Sequence, residues 1–242
     1  MAATKLTTAL SILFFCIALF MPTDARPHRK SLEIIQRRGP PGGSGYLSAY
    51  SVPLNNGSTS LAAPLSTQVL KAIAIGRGTQ NYTCAVANGS APASIGASAT
   101  LFDAGYFLQF IPPKEGQELL NILPDYFLEL SENTLQGSVL PQLGMHYFNS
   151  ALTPIFNMTV SDTGLMLGAK TGDIAAPASS EVGPNGQGFG AVDWLELAAK
   201  TGSVDLSSAF RVMTAGGKAP TTCENQPEFI EMQYAAQYWF YQ

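Results

Sequence analysis

Charge is scarce in this sequence. Asp, Glu, Lys and Arg make up 12% of its 242 residues, about half the share usual for soluble domains. Histidine occurs twice and cysteine three times, and one of each (His28 and Cys16) lies within the first 38 residues. What remains is His146 with Cys84 and Cys223, too few and too dispersed for a zinc site, which takes about four such ligands. Histidine-based catalysis is thereby confined to His146. Long apolar runs are also missing. The longest, residues 9–21, falls short of the ~20 residues that span a bilayer.

That short run fits a secretory signal over residues 1–25 instead. Lys5 supplies the positive start, the apolar run comes next, and Thr23-Asp24-Ala25 puts a small residue at the cleavage position. Residues 26–38 are basic, with Arg26, Arg29, Lys30, Arg37 and Arg38 against Glu33. They close on a dibasic pair beside Gly-Pro-Pro-Gly-Gly, an exposed setting that suits a processing protease; the segment reads as a propeptide or a basic tail. The whole chain has a net charge of −4, and residues 39–242, with seven Lys/Arg and fifteen Asp/Glu, carry −8. An acidic body without a basic stripe excludes the nucleic-acid readers, which need clustered cations. With the signal removed, no membrane segment is expected.

What the chain does have is apolar residues (46%), 23 glycines and 16 prolines. The apolar share excludes wholesale disorder, and about 200 residues suffice for one sizeable core. Residues 39–66 are a Gly/Pro/Ser-rich arm without periodicity, and residues 67–242 read as a single β-rich domain. Residues 69–75 alternate, and after Gly76-Arg77-Gly78 a second alternation places Gln80, Tyr82, Cys84 and Val86 on one face and Asn81 and Thr83 on the other. Cys84 and Cys223 are an even pair in a chain with a secretory leader, so a disulfide is expected. Sequons stand at Asn56, Asn81, Asn88 and Asn157, each a candidate glycosylation site. On the alternation, Cys84 faces the core while Asn81 faces solvent.

Further along, residues 98–111 read as one or two strands broken near Asp103-Ala104-Gly105. Residues 117–130 are the best helix candidate, with Pro124 expected to break or kink it. Residues 146–160 and 165–169 read as a hairpin around Ser161-Asp162-Thr163-Gly164, and residues 174–190 as a loop. Residues 192–197 and 206–214 alternate again, and the aromatic run Tyr234, Tyr238, Trp239, Phe240, Tyr241 closes the series. Short strands without a βαβ rhythm predict a mainly β fold, an antiparallel sandwich or barrel with one or two short helical segments.

Several motifs, in order, resemble those of a family known as a domain of unknown function, number 3455. They are Gly76-Arg77-Gly78-Thr79-Gln80-Asn81-Tyr82-Thr83-Cys84, Ala99-Thr100-Leu101-Phe102-Asp103, His146-Tyr147-Phe148, Asp193-Trp194-Leu195, the stretch from Arg211 to Pro220, and Tyr238-Trp239-Phe240-Tyr241. The resemblance covers about residues 64–242. It implies secretion, as in fungal members, and no agreed activity, cofactor or catalytic residue. Fungal members often carry the label malate dehydrogenase. The residues here argue against nicotinamide binding: the third glycine of a dinucleotide fingerprint would fall at Asn81, and alternating residues stand where a helix is required. Gly76-Arg77-Gly78 reads as a turn, and no cofactor is expected.

His146 is the one candidate general base, with Asp103, Asp162, Asp173, Asp193 and Asp205 as possible orienting partners. The other reading is a histidine bonded to backbone near a strand start, and no nucleophile elbow accompanies it. The expected function is a secreted, non-catalytic domain that binds a small molecule or carbohydrate in a barrel mouth or cleft. The alternatives are a hydrolase or isomerase using His146, and a structural protein of wall or spore surface.

Overall fold

The computed structural model describes residues 44–84 and 89–242. The leader, the basic segment, the Arg37-Arg38 pair and Asn88 lie outside the described residues. Eight antiparallel strands, β1 (Leu70–Thr83), β2 (Ala93–Asp103), β3 (Gln142–Phe148), β4 (Pro154–Met158), β5 (Gly164–Ile174), β6 (Trp194–Ala199), β7 (Ser208–Gly216) and β8 (Phe229–Tyr241), succeed one another around a closed barrel. The closing seam pairs β1 with β8 from Leu70↔Tyr241 to Thr83↔Phe229. Of the two architectures expected, the barrel is the one adopted. Closure removes both sheet edges, which would otherwise offer unpaired backbone groups to another chain.

The strands β1, β7 and β8 are apolar on both faces because each face has a cover. Ala72, Ala74, Ala209, Ala236, Tyr238 and Phe240 point into the barrel, where Leu101, Phe156, Met158, Met166 and Leu197 meet them. Ile73, Ile75, Phe210, Val212, Ala235 and Trp239 point outward under a helical layer. That layer consists of α1 (Gly105–Leu108), α2 (Pro113–Glu129) and α3 (Glu132–Gln136). Leu119, Leu120, Leu123, Phe127 and Leu128 form the buried stripe of α2. Each such side chain contributes roughly 1.5–3 kcal/mol of apolar burial. Residues 44–66 of the Gly/Pro-rich arm, largely irregular beyond a 3-10 turn at Ser44–Ala49, rest on this layer through Leu47, Tyr50 and Leu61.

Three local expectations are corrected. Gly76-Arg77-Gly78 is not a turn but the middle of the 14-residue strand β1. Its two glycines face inward, and a Cβ at Gly76 would sit 2.6 Å from Cε2 of Tyr238. The glycine is there to let a tyrosine ring lie against the backbone, which is a packing use rather than a conformational one. Second, β2 ends at Asp103, and the chain turns there into α1 rather than continuing as strand. The Asp103 carboxylate accepts the Tyr106 N–H at 3.3 Å, a local bond that favours a turn over a ladder. Third, residues 146–160 form two strands, β3 and β4, joined by a turn in which Asn149 Oδ1 accepts the N–H groups of Ala151 and Thr153.

Pro124 neither breaks nor ends α2, which starts earlier than expected with Pro113 at its first turn, a position where a missing N–H is harmless. The ring at 124 leaves the Leu120 carbonyl without its helical donor. Gln237, fully buried on the outward face of β8, donates its amide Nε2–H to that carbonyl at 2.6 Å, and its Oε1 accepts the Trp239 indole N–H at 2.8 Å. At the other end of α2, Arg77 reaches out from β1. Its guanidinium donates to the carbonyls of Phe127 (2.9 Å), Leu128 (3.2 Å) and Leu130 (3.2 Å) and to Gln233 Oε1. The barrel wall thus completes both irregular points of the helix that covers it.

A polar mouth above an aromatic core

The barrel interior changes character along its axis. At its middle the His146 ring stacks on Phe156, with centroids 4.2 Å apart and an interplanar angle of 7°, and Tyr238 and Phe148 flank it. His146 Nδ1 lies 2.9 Å from the Ile155 carbonyl, so the neutral ring places its proton there. Burial lowers its pKa to about 4. The Ile155 bond opposes the shift and the positive charge of Arg211 adds to it. Asp103, Asp162, Asp173, Asp193 and Asp205 do not pair with it. Among the described residues the one ion pair is Lys170–Asp173 at 3.1 Å, on the surface. The structure therefore places His146 inside the aromatic packing and does not bring a carboxylate to it.

Toward the end of the barrel where β1 finishes, the interior becomes polar. A cavity of about 220 Å³ opens there, lined by Gln80, Tyr82, Ser94, Val192, Asp193, Leu195, Arg211 and Lys218. Arg211 lies on the inward face of β7 and is 9% exposed. Its Nε–H and an Nη2–H converge on the Asp193 backbone carbonyl at 3.2 and 2.8 Å, and Nη1 points to Gln80 Oε1 at 3.4 Å. Gln80 is held in turn by the Gly96 carbonyl at 2.9 Å. The Tyr82 hydroxyl donates to the Gly217 carbonyl at 2.8 Å, and burial pushes its pKa up to about 12, with Arg211 opposing. Beneath Arg211 the Tyr234 and Tyr238 hydroxyls share a 2.9 Å bond. Burial raises the Tyr238 pKa, while the charge of Arg211 and a hydrogen bond from it pull the other way.

The disulfide closes this end of the molecule. Cys84, just past β1, is bonded to Cys223 across a sequence separation of 139 residues. The Cys84 N–H bonds to the Glu228 carbonyl at 2.8 Å and the Cys223 N–H to the Ser90 carbonyl at 2.7 Å. The segment between β7 and β8 is thereby fastened beside the mouth. Gln80 and Tyr82 point inward and Asn81 outward, as the alternation expects, but Asn81 does not face open solvent: it is half-buried in a groove with Arg77, Thr79, Ser98 and Gln233, its Oδ1 buried, and Cys84 is half-buried rather than in the core.

The family model described as protein of unknown function (DUF3455) matches residues 65–242, the whole barrel and its helical layer. The chain belongs to the DUF3455 family. No curated protein and no solved structure is matched by it. For this DUF3455 chain the polar mouth is the site that residue patterns left unread. Arg211 opens one of the family-like motifs, but the motif assigns it no role. The signal was available in principle, since a lone arginine comes two residues after inward-facing Ala209 in a strand. Asn56 and Asn157 are both half-buried. Asn56 Nδ2 donates to the Ala175 carbonyl at 2.8 Å, whereas Asn157 engages Thr159 through its oxygen. Among the described residues, no group of three His, Cys, Asp or Glu side chains could hold a metal ion.

Proposed function

We propose that the chain is a secreted, non-catalytic binding domain whose ligand enters the barrel mouth. The cavity lined by Gln80, Tyr82, Ser94, Arg211 and Lys218 carries this reading. Convergent polar side chains in a concave site, with Val192 and Leu195 as apolar wall, are what a small-molecule site requires. Its volume is below the ~300–1,000 Å³ of sites for drug-sized ligands, so the ligand is compact, a short organic molecule or a single sugar ring. The deeper barrel offers no room, because Phe156, Tyr238, Tyr234 and Phe240 fill it. A hydrolase built on His146 finds no support in the geometry: the ring is 3% exposed and stacked between aromatic neighbours. Secretion is favoured by the leader and by a disulfide, which persists in oxidising compartments.

The test is thermal denaturation of the purified protein, disulfide intact, across a panel of small acids, sugars and lipids, beside Ser94→Trp and His146→Phe. Ser94 is exposed at the rim, so the indole plugs the mouth without disturbing the core. A ligand that stabilises the parent and His146→Phe but not Ser94→Trp fits the proposal. A ligand lost only with His146→Phe returns the hydrolase reading. No stabilisation by any compound removes the binding role and favours a structural one.

A further inference from the structure

We infer that the compound bound in the mouth is a small carboxylate and that Arg211 is the residue that holds it; this rests on the mouth being a ligand site. The described residues include two buried arginines, Arg77 and Arg211, and they differ in one respect. Arg77 sits on the carbonyls that end α2, the negative end of a helix dipole, with Glu132 and Glu129 near enough to favour its charge. Arg211 has neutral acceptors only: one backbone carbonyl, one amide oxygen and the Tyr238 hydroxyl. No carboxylate pairs with it among the described residues.

A buried guanidinium ordinarily has a counter-charge, because removing it from water uncompensated is expensive. Here the missing charge faces a cavity. A carboxylate ligand supplies it. Arginine presents five N–H donors in a planar fork that matches a carboxylate, and the acceptors in place leave at least one donor over.

The rim agrees. Lys218, exposed, lines the same cavity and makes no ion pair among the described residues. The one acidic lining residue, Asp193, is exposed and turns its backbone carbonyl, not its carboxylate, to Arg211. The mouth thus carries two cations and one carboxylate. Residues 39–242 as a whole hold seven cations and fifteen acids. A net positive site in a negative protein focuses anions at that point. With about 220 Å³ available, and Tyr82, Ser94, Val192 and Leu195 lining the cavity with Arg211, the ligand is a short acid with a small apolar or hydroxylated body.

The experiment is calorimetric titration at low ionic strength with acetate, lactate, benzoate, inorganic phosphate, glucose and N-acetylglucosamine. At least one carboxylate is expected to bind, and to bind more weakly as NaCl is raised. Arg211→Lys, which keeps a charge but loses the fork, is expected to weaken it about 10- to 100-fold, the range of a hydrogen bond to a charged group. Because Arg211 is buried, that variant can lose its fold. Lys218→Glu, at an exposed position, provides the second reading: melting unchanged and carboxylate affinity reduced several-fold. Binding of a neutral sugar or of phosphate alone, abolished by Ser94→Trp, overturns the carboxylate assignment and leaves the binding domain standing. Carboxylate binding indifferent to Lys218→Glu, to salt and to Ser94→Trp overturns the placement. Silence from all six probes overturns the assignment, and silence across the wider panel removes the binding domain itself.

Discussion

Replacing Gln237 by leucine separates the barrel wall from the helix it supports. The side chain is fully buried, and two bonds end on it: Nε2–H to the Leu120 carbonyl at 2.6 Å and Trp239 Nε1–H to Oε1 at 2.8 Å. Leucine is close in volume, so the change removes hydrogen bonds more than it opens space. Each orphaned buried group costs about 1–3 kcal/mol, which puts the loss at roughly 2–5 kcal/mol once the relief of an amide's own desolvation is allowed for. The Leu120 carbonyl depends on Gln237 only because residue 124 has no N–H. Pro124→Ala supplies that donor within the helix. In the alanine background Gln237→Leu therefore strands Trp239 alone, and its effect shrinks by about 1–2 kcal/mol. Urea denaturation of the four proteins, at constant m-value, measures this coupling directly. Effects that add to within about 0.5 kcal/mol refute the argument that Gln237 stands in for the proline's missing donor.

Cys84→Ser with Cys223→Ser removes a closure over 139 residues; the loop-entropy relation gives roughly 5 kcal/mol as an upper value, read as a fall in the urea midpoint that dithiothreitol reproduces in the parent. His146, with a folded pKa of about 4 against an unfolded value near 6.5, binds fewer protons folded than unfolded in that window. Its contribution is full above the unfolded pKa and falls away as pH drops toward 4, by about 3 kcal/mol in total. Asp103, raised to about 6 chiefly by burial, works in the opposite sense, so the quantity to compare is the pH slope of the parent against that of His146→Phe; parallel slopes between pH 4 and 6.5 sink the assignment. Peptide mapping of protein secreted from a eukaryotic host is expected to find sugar on Asn157 rather than Asn56, whose amide nitrogen is engaged with Ala175; the reverse pattern contradicts it. The same maps are expected to begin at residue 26 or 39, and an intact residue 1 in secreted material rules out the leader.

Much of the architecture could be read from alternation, because alternating residues mark a strand with unlike faces. The β class and the opposed faces of Gln80 and Asn81 come from that period, and the pairing of Cys84 with Cys223 from an even count of cysteines after an expected leader. What escaped were residues whose meaning lies in a partner far away in sequence. Gly76 punctuates when read alone and is a seat for Tyr238 when β8 lies beside it. Pro124 breaks a helix unless a glutamine more than a hundred residues later meets the freed carbonyl. Arg211 looks like an ordinary surface charge until the barrel closes and turns its strand face inward. Each is a tertiary effect overriding a local rule, and the local rule was sound for the segment in isolation. The candidate site was the least legible part for the same reason: its lining comes from β1, β2, the segment before β6, β6, β7 and the segment after β7, and no short stretch contains it.

The seam between β1 and β8 fixes the order in which this protein can become itself. As the chain leaves the ribosome, strands β1 to β7 can pair with their neighbours in turn, but they form an open sheet with two raw edges until β8 arrives. The aromatic core waits for that last addition, since Tyr234, Tyr238 and Phe240 belong to β8; the mouth and the disulfide wait as well, because each joins the end of β1 to β7 or the segment after it across the seam. A topology that joins such distant segments folds slowly. It also leaves the ends of the barrel side by side, from Leu70 against Tyr241 to Thr83 against Phe229. Joining the end of β8 by a linker to the arm ahead of β1, so that Leu47, Tyr50 and Leu61 keep their places on the helical layer, and reopening the ring in the turn after β3 gives a circular permutant in which β8 and β1 are neighbours in sequence and the closing seam moves to β3 and β4.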